Sequence, residues 1–208
     1  MIGVVDYGCG NPGSVVSMLR RINVPVIRIT KPEQFDDCER FILPGVGAFD
    51  DVVLRFRASG FEAPLTKRVR TERAPLLGIC VGMQMLADCS EEGVEPGLGW
   101  IPGKVRHLSR LVPDGIRLPV MGWQYIEQRA ESFVQIREET RFYFVHSYYF
   151  EVGTGSELVY VSSSPGAAPA AVRLANIFGT QFHPEKSHHF GMELLASFSK
   201  WVPVDADV

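Results

Sequence analysis

An apolar run passes without a break into an amphipathic run at Pro75-Leu76-Leu77-Gly78-Ile79-Cys80-Val81-Gly82-Met83-Gln84-Met85-Leu86-Ala87-Asp88. Residues Pro75–Ile79 predict a buried strand, and Val81–Asp88 predict a helix that starts at once. A strand that leads directly into a helix is typical of proteins in which helices cover both faces of a parallel sheet. This junction therefore predicts an α/β fold.

The first half of the chain repeats this alternation. Short apolar runs predict buried strands, and apolar residues spaced three and four apart, such as Val15, Leu19 and Ile22, predict helices. In chain order the predicted elements are a strand at Met1–Val5, a turn at Gly8–Gly13, a helix at Ser14–Ile22, strands at Pro25–Ile29 and Arg40–Leu43 (the latter ended by Pro44-Gly45), and helices at Asp50–Ala58 and Ala63–Glu72. We therefore predict a mostly parallel central sheet with helices on both faces.

From about Gly97 onward the chain becomes rich in short β-like runs that are separated by Gly and Pro. These runs predict strands at Val105–Leu108, Gln124–Glu127, Phe133–Ile136, Phe142–Phe150, Leu158–Ser162, Ala170–Leu174 and Ile177–Phe182. They indicate an antiparallel or mixed extension of the sheet, closed by an amphipathic helix at His189–Trp201. No stretch resembles a linker, so we expect one domain over residues 1–201 and a tail over 202–208.

Composition and charge exclude several classes of protein. The 208 residues carry 21 Lys and Arg against 24 Asp and Glu, a net charge of −3, which does not favour binding to nucleic acid or to an anionic membrane. No run approaches the 18 apolar residues of a membrane span, and Met1–Asp6 lacks the pattern of a signal peptide, so we expect neither. The four cysteines form neither a zinc pattern nor a C-x-x-C pair, so we expect no metal and a soluble, cytoplasmic protein.

A glycine pattern near the start allows a second interpretation. Gly8-Cys9-Gly10-Asn11-Pro12-Gly13 matches G-x-G-x-x-G between a strand and a helix, which is the setting of a dinucleotide-binding loop. Such a loop requires an acidic residue at the end of the second strand, but Arg28 to Lys31 lies there, which could suit only a phosphorylated ribose. We favour an ordinary turn and no cofactor, and keep a dinucleotide-dependent oxidoreductase as an alternative.

The strongest chemical pattern is Gly78-Ile79-Cys80-Val81-Gly82, which places a cysteine at the predicted strand–helix junction. A G-x-nucleophile-x-G turn exposes its central side chain, and the positive end of the helix dipole favours the reactive thiolate. A free cysteine is more often a small buried apolar residue. The glycines on both sides favour the nucleophile.

A matching base lies 103 residues downstream in Gln181-Phe182-His183-Pro184-Glu185. In extended chain His183 and Glu185 would point to the same side, so that the carboxylate could orient the imidazole. A surface histidine beside a solvated glutamate is the alternative. Because a cysteine elbow is also present, we predict a triad of Cys80, His183 and Glu185.

Acyl chemistry also requires donors for a developing oxyanion. Pro44-Gly45-Val46-Gly47 follows a predicted strand, and its glycines allow backbone N–H groups to turn toward a ligand. The N–H of Val81, the residue after the predicted nucleophile, could provide a second donor. Taken alone, the glycine loop could equally be an ordinary turn.

Together these motifs resemble the class I (triad) glutamine amidotransferases. Within that class, the chain resembles the glutaminase subunits of imidazole glycerol phosphate synthase over residues 2 to about 201. The closer likeness lies in Asp6-Tyr7-Gly8-x-Gly10-Asn11, Pro44-Gly45-Val46-Gly47-Ala48-Phe49, Ser90-Glu91-Glu92, Met121-Gly122-Trp123, Phe144-Val145-His146-Ser147-Tyr148 and His183-Pro184-Glu185-Lys186-Ser187.

The resemblance implies a flavodoxin-like α/β domain that hydrolyses L-glutamine and passes ammonia to a (βα)8-barrel synthase subunit in a heterodimer of histidine biosynthesis. It implies Cys80 as nucleophile, His183 as acid and base, and Glu185 as the residue that orients the histidine. The remaining implied roles are oxyanion N–H groups at Val46 and Val81, glutamine binding by Gly47, Gln84, Glu92, Ser147 and Tyr148, and a partner face with the ammonia exit at Met121, Gly122, Trp123, Tyr143 and Lys186.

The chain departs from the family pattern outside the predicted triad. A segment that usually reads Pro-His-Met-Gly-Trp-Asn has Val120 and Gln124 in place of the His and the Asn. Pro12 replaces an apolar residue, and Ala175 stands where a glycine usually precedes Asn176. Altered interface loops also suit a paralogous subunit that supplies ammonia for sugar modification in surface-polysaccharide biosynthesis. A thiol peptidase or esterase, which would not need Gln84 and Glu92, and an inactive scaffold that only binds a partner are further alternatives.

Overall fold

A nine-stranded mixed sheet forms the centre of the protein, and a computed structural model describes residues 1–113, 115–163 and 166–203. Over these residues the strands are β1 (Ile2–Val5), β2 (Val26–Ile29), β3 (Arg40–Gly45), β4 (Leu76–Cys80), β5 (Cys89–Ser90), β6 (Gly103–His107), β7 (Val120–Gln128), β8 (Arg141–His146), β9 (Tyr148–Val152), β10 (Glu157–Ser162), β11 (Pro169–Leu174) and β12 (Ile177–Thr180). The α-helices are α1 (Pro12–Arg21), α2 (Phe49–Ala58), α3 (Glu62–Thr66), α4 (Val81–Gln84) and α5 (His188–Lys200).

The large sheet has a parallel half and an antiparallel half. Its strand order is β2-β1-β3-β4-β12-β11-β10-β7-β8, and all pairs from β2 to β12 are parallel. The pairs from β12 to β8 are antiparallel. Val4 and Val5 point to opposite faces and both are fully buried, so both faces of the parallel half are covered. The predicted α/β sheet with an antiparallel extension is confirmed.

Most predicted elements lie within one or two residues of the observed ones, and their ends have local causes. The side chain of Asn11 accepts a hydrogen bond from Ser14 N at 3.2 Å and begins α1, with Pro12 in its first turn. β3 continues through Pro44-Gly45, which was expected to end it, because Gly45 still pairs with Cys80. The predicted helix at Ala63–Glu72 is α3 followed by a wider turn at Lys67–Thr71.

The helix expected over 81–88 is much shorter, since α4 ends at Gln84. Carbonyl groups that would continue the helix accept hydrogen bonds from a later segment instead. Leu98 N donates to Met85 O at 2.7 Å, and Trp100 N donates to Leu86 O at 2.9 Å. Packing against this later segment therefore overrides the local helical pattern.

The strand predicted at Phe133–Ile136 is wrong, because these residues lie in a loop. The Phe133 ring lies 4.7 Å from the Phe178 ring and 5.0 Å from the Trp201 ring, between the sheet and the end of α5. Its apolar character therefore serves to fill the core.

Ala175, which replaces the glycine of the family pattern, lies in the turn between β11 and β12. Its φ is +50, a left-handed conformation, which explains why glycine suits this position.

The predicted strand at Phe142–Phe150 is in fact two strands that belong to different sheets. β8 pairs with β7 at the edge of the large sheet, whereas β9 pairs with β6 in a small sheet of order β5-β6-β9. Ser147 lies between them, so the chain passes from one sheet to the other at this residue.

The remaining predictions concern the end of the chain and membrane spans. The part of the tail at residues 204–208 lies outside the described residues. Among the helices that the structure describes, none is both long and apolar enough to cross a membrane.

Candidate active site

Cys80 is the last residue of β4 and immediately precedes α4. Its backbone has φ +56 and ψ −116, a conformation that residues other than glycine adopt only under strain. This is the geometry of a nucleophile elbow, which turns a side chain out of the end of a strand. The side chain is 5% exposed and forms part of a cavity wall, so it is buried but faces open space.

The glycines around Cys80 are required by close backbone approach. A Cβ at Gly78 would lie 2.8 Å from the Cα of Met83 and 2.9 Å from the Gly82 carbonyl oxygen. A Cβ at Gly82 would lie 1.9 Å from the carbonyl oxygen of Leu43. The turn can therefore pack against β3 and against its own helix only because both positions lack side chains.

The end of β3 brings the predicted oxyanion loop to the elbow. Gly45 is paired with Cys80, and the next two residues, Val46 and Gly47, line the same cavity as Cys80 and Val81. Val81 is the first residue of α4, so no earlier helical carbonyl accepts from its N–H. The two predicted sources of oxyanion donors thus lie beside the thiol.

His183 and Glu185 form a buried pair. The His183 Nδ1 atom lies 2.8 Å from Glu185 Oε1, and the two side chains are 1% and 3% exposed. The predicted extended chain is wrong here: β12 ends at Thr180, and Pro184–Lys186 forms a single helical turn. That turn starts at Pro184 and brings the Glu185 carboxylate back to the His183 imidazole. The predicted contact between the two side chains is therefore present, although the backbone differs from the prediction.

The state of the His183 imidazole depends on burial and on its two neighbours. Burial disfavours the charged ring, but the Cys80 thiol and the Glu185 carboxylate favour it, so the pKa of His183 lies above its ordinary value. The thiol and the ring line the same cavity, but His183 Nε2 has no hydrogen-bond partner among the described residues, so a hydrogen bond between Nε2 and the thiol is not formed in this structure. Such contacts often tighten only when substrate is bound.

A cavity of about 280 Å³ opens beside the thiol, near the lower end of the range for ligand pockets. Its wall includes every residue predicted for catalysis or glutamine binding except Glu185, which lies behind His183. The lining residues are Val46, Gly47, Cys80, Val81, Gln84, Glu92, Pro119, Val145, His146, Ser147, Tyr148 and His183. No cluster of three or more His, Cys, Asp and Glu suited to a metal ion occurs in the described part of the chain.

Glu92 is the acidic group of the cavity. Phe49 N, at the start of α2, donates to Glu92 Oε2 at 2.9 Å, and Ser90 Oγ accepts from Glu92 N at 3.0 Å. Burial raises the pKa of the Glu92 carboxyl, the hydrogen bond from Phe49 lowers it, and Asp50 raises it further, with a net upward shift. A cationic ligand group would relieve this burial penalty, as the α-ammonium of an amino acid can.

Two polar residues near the thiol were not assigned roles from sequence. Gln181 is fully buried and donates from Nε2 to Cys80 Sγ at 3.7 Å. His146 is 7% exposed, and its Nδ1 lies 2.8 Å from the carbonyl oxygen of Tyr148. The burial of His146 could have been predicted from the sequence, because it alternates with Phe142 and Phe144 along one face of β8.

The predicted partner residues lie outside the cavity, on the β7–β8 edge of the large sheet. Trp123 and Tyr143 are cross-strand partners with ring centres 6.3 Å apart, and Lys186 Nζ lies 5.8 Å from the centre of the Tyr143 ring. Met121 is 64% exposed, and Gly122 has φ +126. The structure therefore brings these five residues, which we call the edge face, onto one surface.

The glycine pattern near the start spans the end of the loop between β1 and α1 and the first two residues of α1. Asp6 accepts from Gly8 N at 3.2 Å and is paired with Arg28. The Arg28 guanidinium, one of the two cationic groups (with Lys31) that a phosphorylated ribose could use, is therefore paired with a carboxylate.

Comparison with known proteins agrees with this geometry. Residues 3–200 match the family "Glutamine amidotransferase class-I". A relative from Bdellovibrio bacteriovorus, named imidazole glycerol phosphate synthase subunit HisH, is 43% identical over 96% of this chain and 100% of its own length. A Pseudomonas aeruginosa relative, named imidazole glycerol phosphate synthase subunit HisH 2, is 43% identical over 97% of this chain and 100% of its own length.

Solved structures share the fold. A crystal structure of a glutamine amidotransferase has a TM-score of 0.73 and 22% identity, with 96% of this chain and 97% of that chain covered. The structure of PurLQS from Thermotoga maritima has a TM-score of 0.70 and 18% identity, with 96% and 97% covered. The family match spans nearly the whole chain, and the full-length relatives are far above chance identity. The chain belongs to the class-I glutamine amidotransferases.

Proposed function

We propose that this chain is the glutaminase subunit of an imidazole glycerol phosphate synthase, which hydrolyses L-glutamine and passes the ammonia to a (βα)8-barrel synthase subunit in a cytoplasmic heterodimer. The elbow cysteine in a cavity with a buried His–Glu pair carries the proposal. Support for the synthase comes from the full-length relatives that bear that name. Support for a reducing compartment comes from the four cysteines, all of which are free thiols. The proposal assigns residues 1–201 to the amidotransferase domain and 202–208 to a tail.

The proposed reaction starts with proton transfer from the Cys80 thiol to His183, which Glu185 holds in the correct tautomer. The thiolate attacks the side-chain amide carbon of glutamine, and N–H groups of Val46 and Val81 bind the oxyanion. His183 gives its proton to the leaving nitrogen, so that ammonia departs and a γ-glutamyl thioester remains. Water, deprotonated by His183, then attacks the thioester, releasing glutamate and restoring the thiol.

Glutamine is recognised through its amino-acid end. The Glu92 carboxylate, the acidic side chain among the described residues that line the cavity, binds the α-ammonium. Gly47, Gln84, Ser147 and Tyr148 provide the remaining polar groups around the substrate. The side-chain amide then points toward Cys80.

The edge face of Met121, Gly122, Trp123, Tyr143 and Lys186 is the proposed docking surface and ammonia exit. Val145 lines the cavity, and its partner across the β7–β8 pair is Met121, so the face begins at the cavity wall. Exposed aromatic side chains suit the centre of a protein interface. A dry exit keeps ammonia unprotonated and therefore nucleophilic.

The decisive experiment is a Cys80→Ala variant assembled with its native synthase subunit. Glutamine-dependent synthesis and glutaminase activity should both be lost, while synthesis from added ammonium salt continues. Cys89→Ala is the matched control, because Cys89 is also a free thiol but lies outside the cavity. Glutamine consumption by Cys80→Ala would disprove the assignment. Hydrolysis of peptides in preference to glutamine would instead indicate a thiol peptidase.

A second candidate function differs in the acceptor of the ammonia. Gln124, the longer amide in the altered segment, has its Oε1 atom buried without a hydrogen-bond partner among the described residues, beside the edge face. A changed residue directly beside Trp123 on β7 suits a subunit whose partner differs, such as a paralogous subunit that supplies ammonia to a modified sugar. Purifying the chain with its native partner distinguishes the two, since the partner's substrate identifies the acceptor.

A further inference from the structure

Gln181 is a buried polar residue for which the proposed reaction has no role. Gln181 directly follows the end of β12 and lies two residues before His183. Its side chain is 0% exposed. Its backbone is fixed, because Gln181 N donates to Ala170 O at 2.9 Å and so continues the pairing with the neighbouring β11 region. A carboxamide in such a place is costly unless both of its ends are hydrogen-bonded.

Both ends of the Gln181 carboxamide contact groups of the proposed active site. Its Oε1 accepts from Gln84 Nε2 at 2.9 Å, and its Nε2 donates to Cys80 Sγ at 3.7 Å, which is within hydrogen-bond range for sulfur. The side chain therefore joins the nucleophile to a predicted glutamine-binding residue. Cys80 immediately precedes α4 and Gln84 is the last residue of α4, and the Gln181 side chain contacts both of their side chains.

The contact with Gln181 also fixes which atom Gln84 presents to the cavity. Gln84 Nε2 donates to Gln181 Oε1 and, at a longer 3.4 Å, to Tyr148 O. Both amide hydrogens are thus used, which leaves Gln84 Oε1 as an acceptor for the substrate. An acceptor is what the α-ammonium of an amino acid requires.

We propose that Gln181 is a positioning residue with two effects: it stabilises the Cys80 thiolate and it orients Gln84 for the α-ammonium of glutamine. A donor aimed at sulfur favours the thiolate over the thiol. An acceptor aimed at Gln84 prevents the amide from turning its NH₂ group toward the cation. This inference rests on the proposed function, because it assumes that Cys80 is the nucleophile and that Gln84 binds substrate.

Two substitutions separate these effects. Gln181→Glu keeps an acceptor for Gln84 but replaces the donor to sulfur with a negative charge. The pH of half-maximal Cys80 alkylation by iodoacetamide, followed by mass spectrometry of the Cys80 peptide, should rise by one unit or more, with KM for glutamine changed less than threefold. Gln181→Met removes both contacts, so it should raise the alkylation midpoint and also raise KM at least tenfold. Both are measured on the assembled synthase.

The matched control is Gln128→Met, at an exposed position of β7 outside the cavity. It should leave the alkylation midpoint and KM unchanged. The inference is overturned if folded Gln181→Met, with an unaltered melting curve, keeps both the wild-type midpoint and the wild-type KM. It is also overturned if the two substitutions lower activity only in proportion to a lower melting temperature. A wild-type Cys80 that resists alkylation, or Cys80→Ala that retains glutaminase activity, would instead refute the proposed function.

Discussion

Gly45 lies against Gly82 where β3 passes the cysteine elbow, and a Cβ on Gly45 would come 2.4 Å from the Gly82 nitrogen. We expect Gly45→Ala to lower the free energy of unfolding by about 1–3 kcal/mol, because the added atom must push β3 away from α4. Glutaminase activity should fall as well, since Val46 follows directly. Urea denaturation and a glutaminase assay measure the two effects. Gly13→Ala, in the first turn of α1, where an added Cβ meets no atom within 4 Å, should leave the activity unchanged and should not lower the free energy of unfolding, because alanine favours a helix by up to about 1 kcal/mol over glycine.

The hydrogen bond between His183 and Glu185 predicts the effect of Glu185→Gln. The amide can occupy the same space but does not stabilise the imidazolium that forms when the thiol loses its proton. We expect kcat to fall by roughly 10³–10⁴, as in other triads that lose their carboxylate, while KM changes little. Steady-state glutaminase kinetics on the assembled synthase test this. A decrease smaller than tenfold would show that the carboxylate does not act through the histidine.

The position of Glu92 in the cavity predicts a defect in substrate binding. Glu92→Gln keeps the size of the side chain and removes its charge, so KM for glutamine should rise roughly 10- to 100-fold, because a hydrogen bond to a charged group contributes about 1.5–3 kcal/mol. The neighbouring Glu91→Gln is the control, since Glu91 is paired with Arg106 and Arg110 outside the cavity. An equal KM for the two variants would contradict the assignment.

The buried His146 predicts a loss of stability in acid. Burial lowers its pKa to about 4, a hydrogen bond to Tyr148 O opposes this, and nearby His183 lowers it further. Because the folded-state pKa lies below the unfolded value of about 6.5, the unfolded chain binds a proton first as the pH falls. Relative to His146→Gln, wild-type protein should lose about 2 kcal/mol of unfolding free energy between pH 7.5 and pH 5. Urea denaturation at both pH values tests this, and parallel curves for the two proteins would contradict it.

The edge face predicts a defect in assembly. Trp123→Ala should weaken association with the synthase subunit by roughly 30-fold or more, because truncating a central interface tryptophan commonly costs at least about 2 kcal/mol. Isothermal titration with the purified partner measures the affinity. Leu54→Ala, at a 49% exposed apolar residue of α2, is the control. Equal affinities for the two variants would place the interface elsewhere.

Local patterns were sufficient to predict the parallel half of the sheet and the junction at Cys80. Each strand there is short and apolar, and each is followed by a turn or helix with its own signals, as at Asn11 and Pro12. Predictions failed where distant contacts decide the backbone. The helix after Cys80 ends early because Leu98 and Trp100 donate to the carbonyls of the two residues that follow it, and Phe133 packs in the core from a loop.

The candidate site was predictable where a residue type implies its chemistry. A cysteine between glycines and a histidine two residues before a glutamate are recognisable without a structure. Gln181 and His146 were not assigned roles, because their importance depends on which atoms they face across the fold. Only the contacts of Gln181 with Cys80 and Gln84 reveal its place in the site.

Tyr143 connects the edge face to the catalytic histidine through its backbone. His183 N donates to Tyr143 O at 2.9 Å, and Tyr143 N donates to Ser187 Oγ at 3.0 Å, so both ends of the turn that carries His183 are hydrogen-bonded to the backbone of a single residue. On the proposed docking at the edge face, a change of synthase partner would alter the outer side of this strand, while the hydrogen bonds of the Tyr143 backbone keep the strand in register with the turn of His183. An insertion or deletion in β8 would displace His183, so on this proposal a new partner is accommodated at the strand by side-chain substitutions.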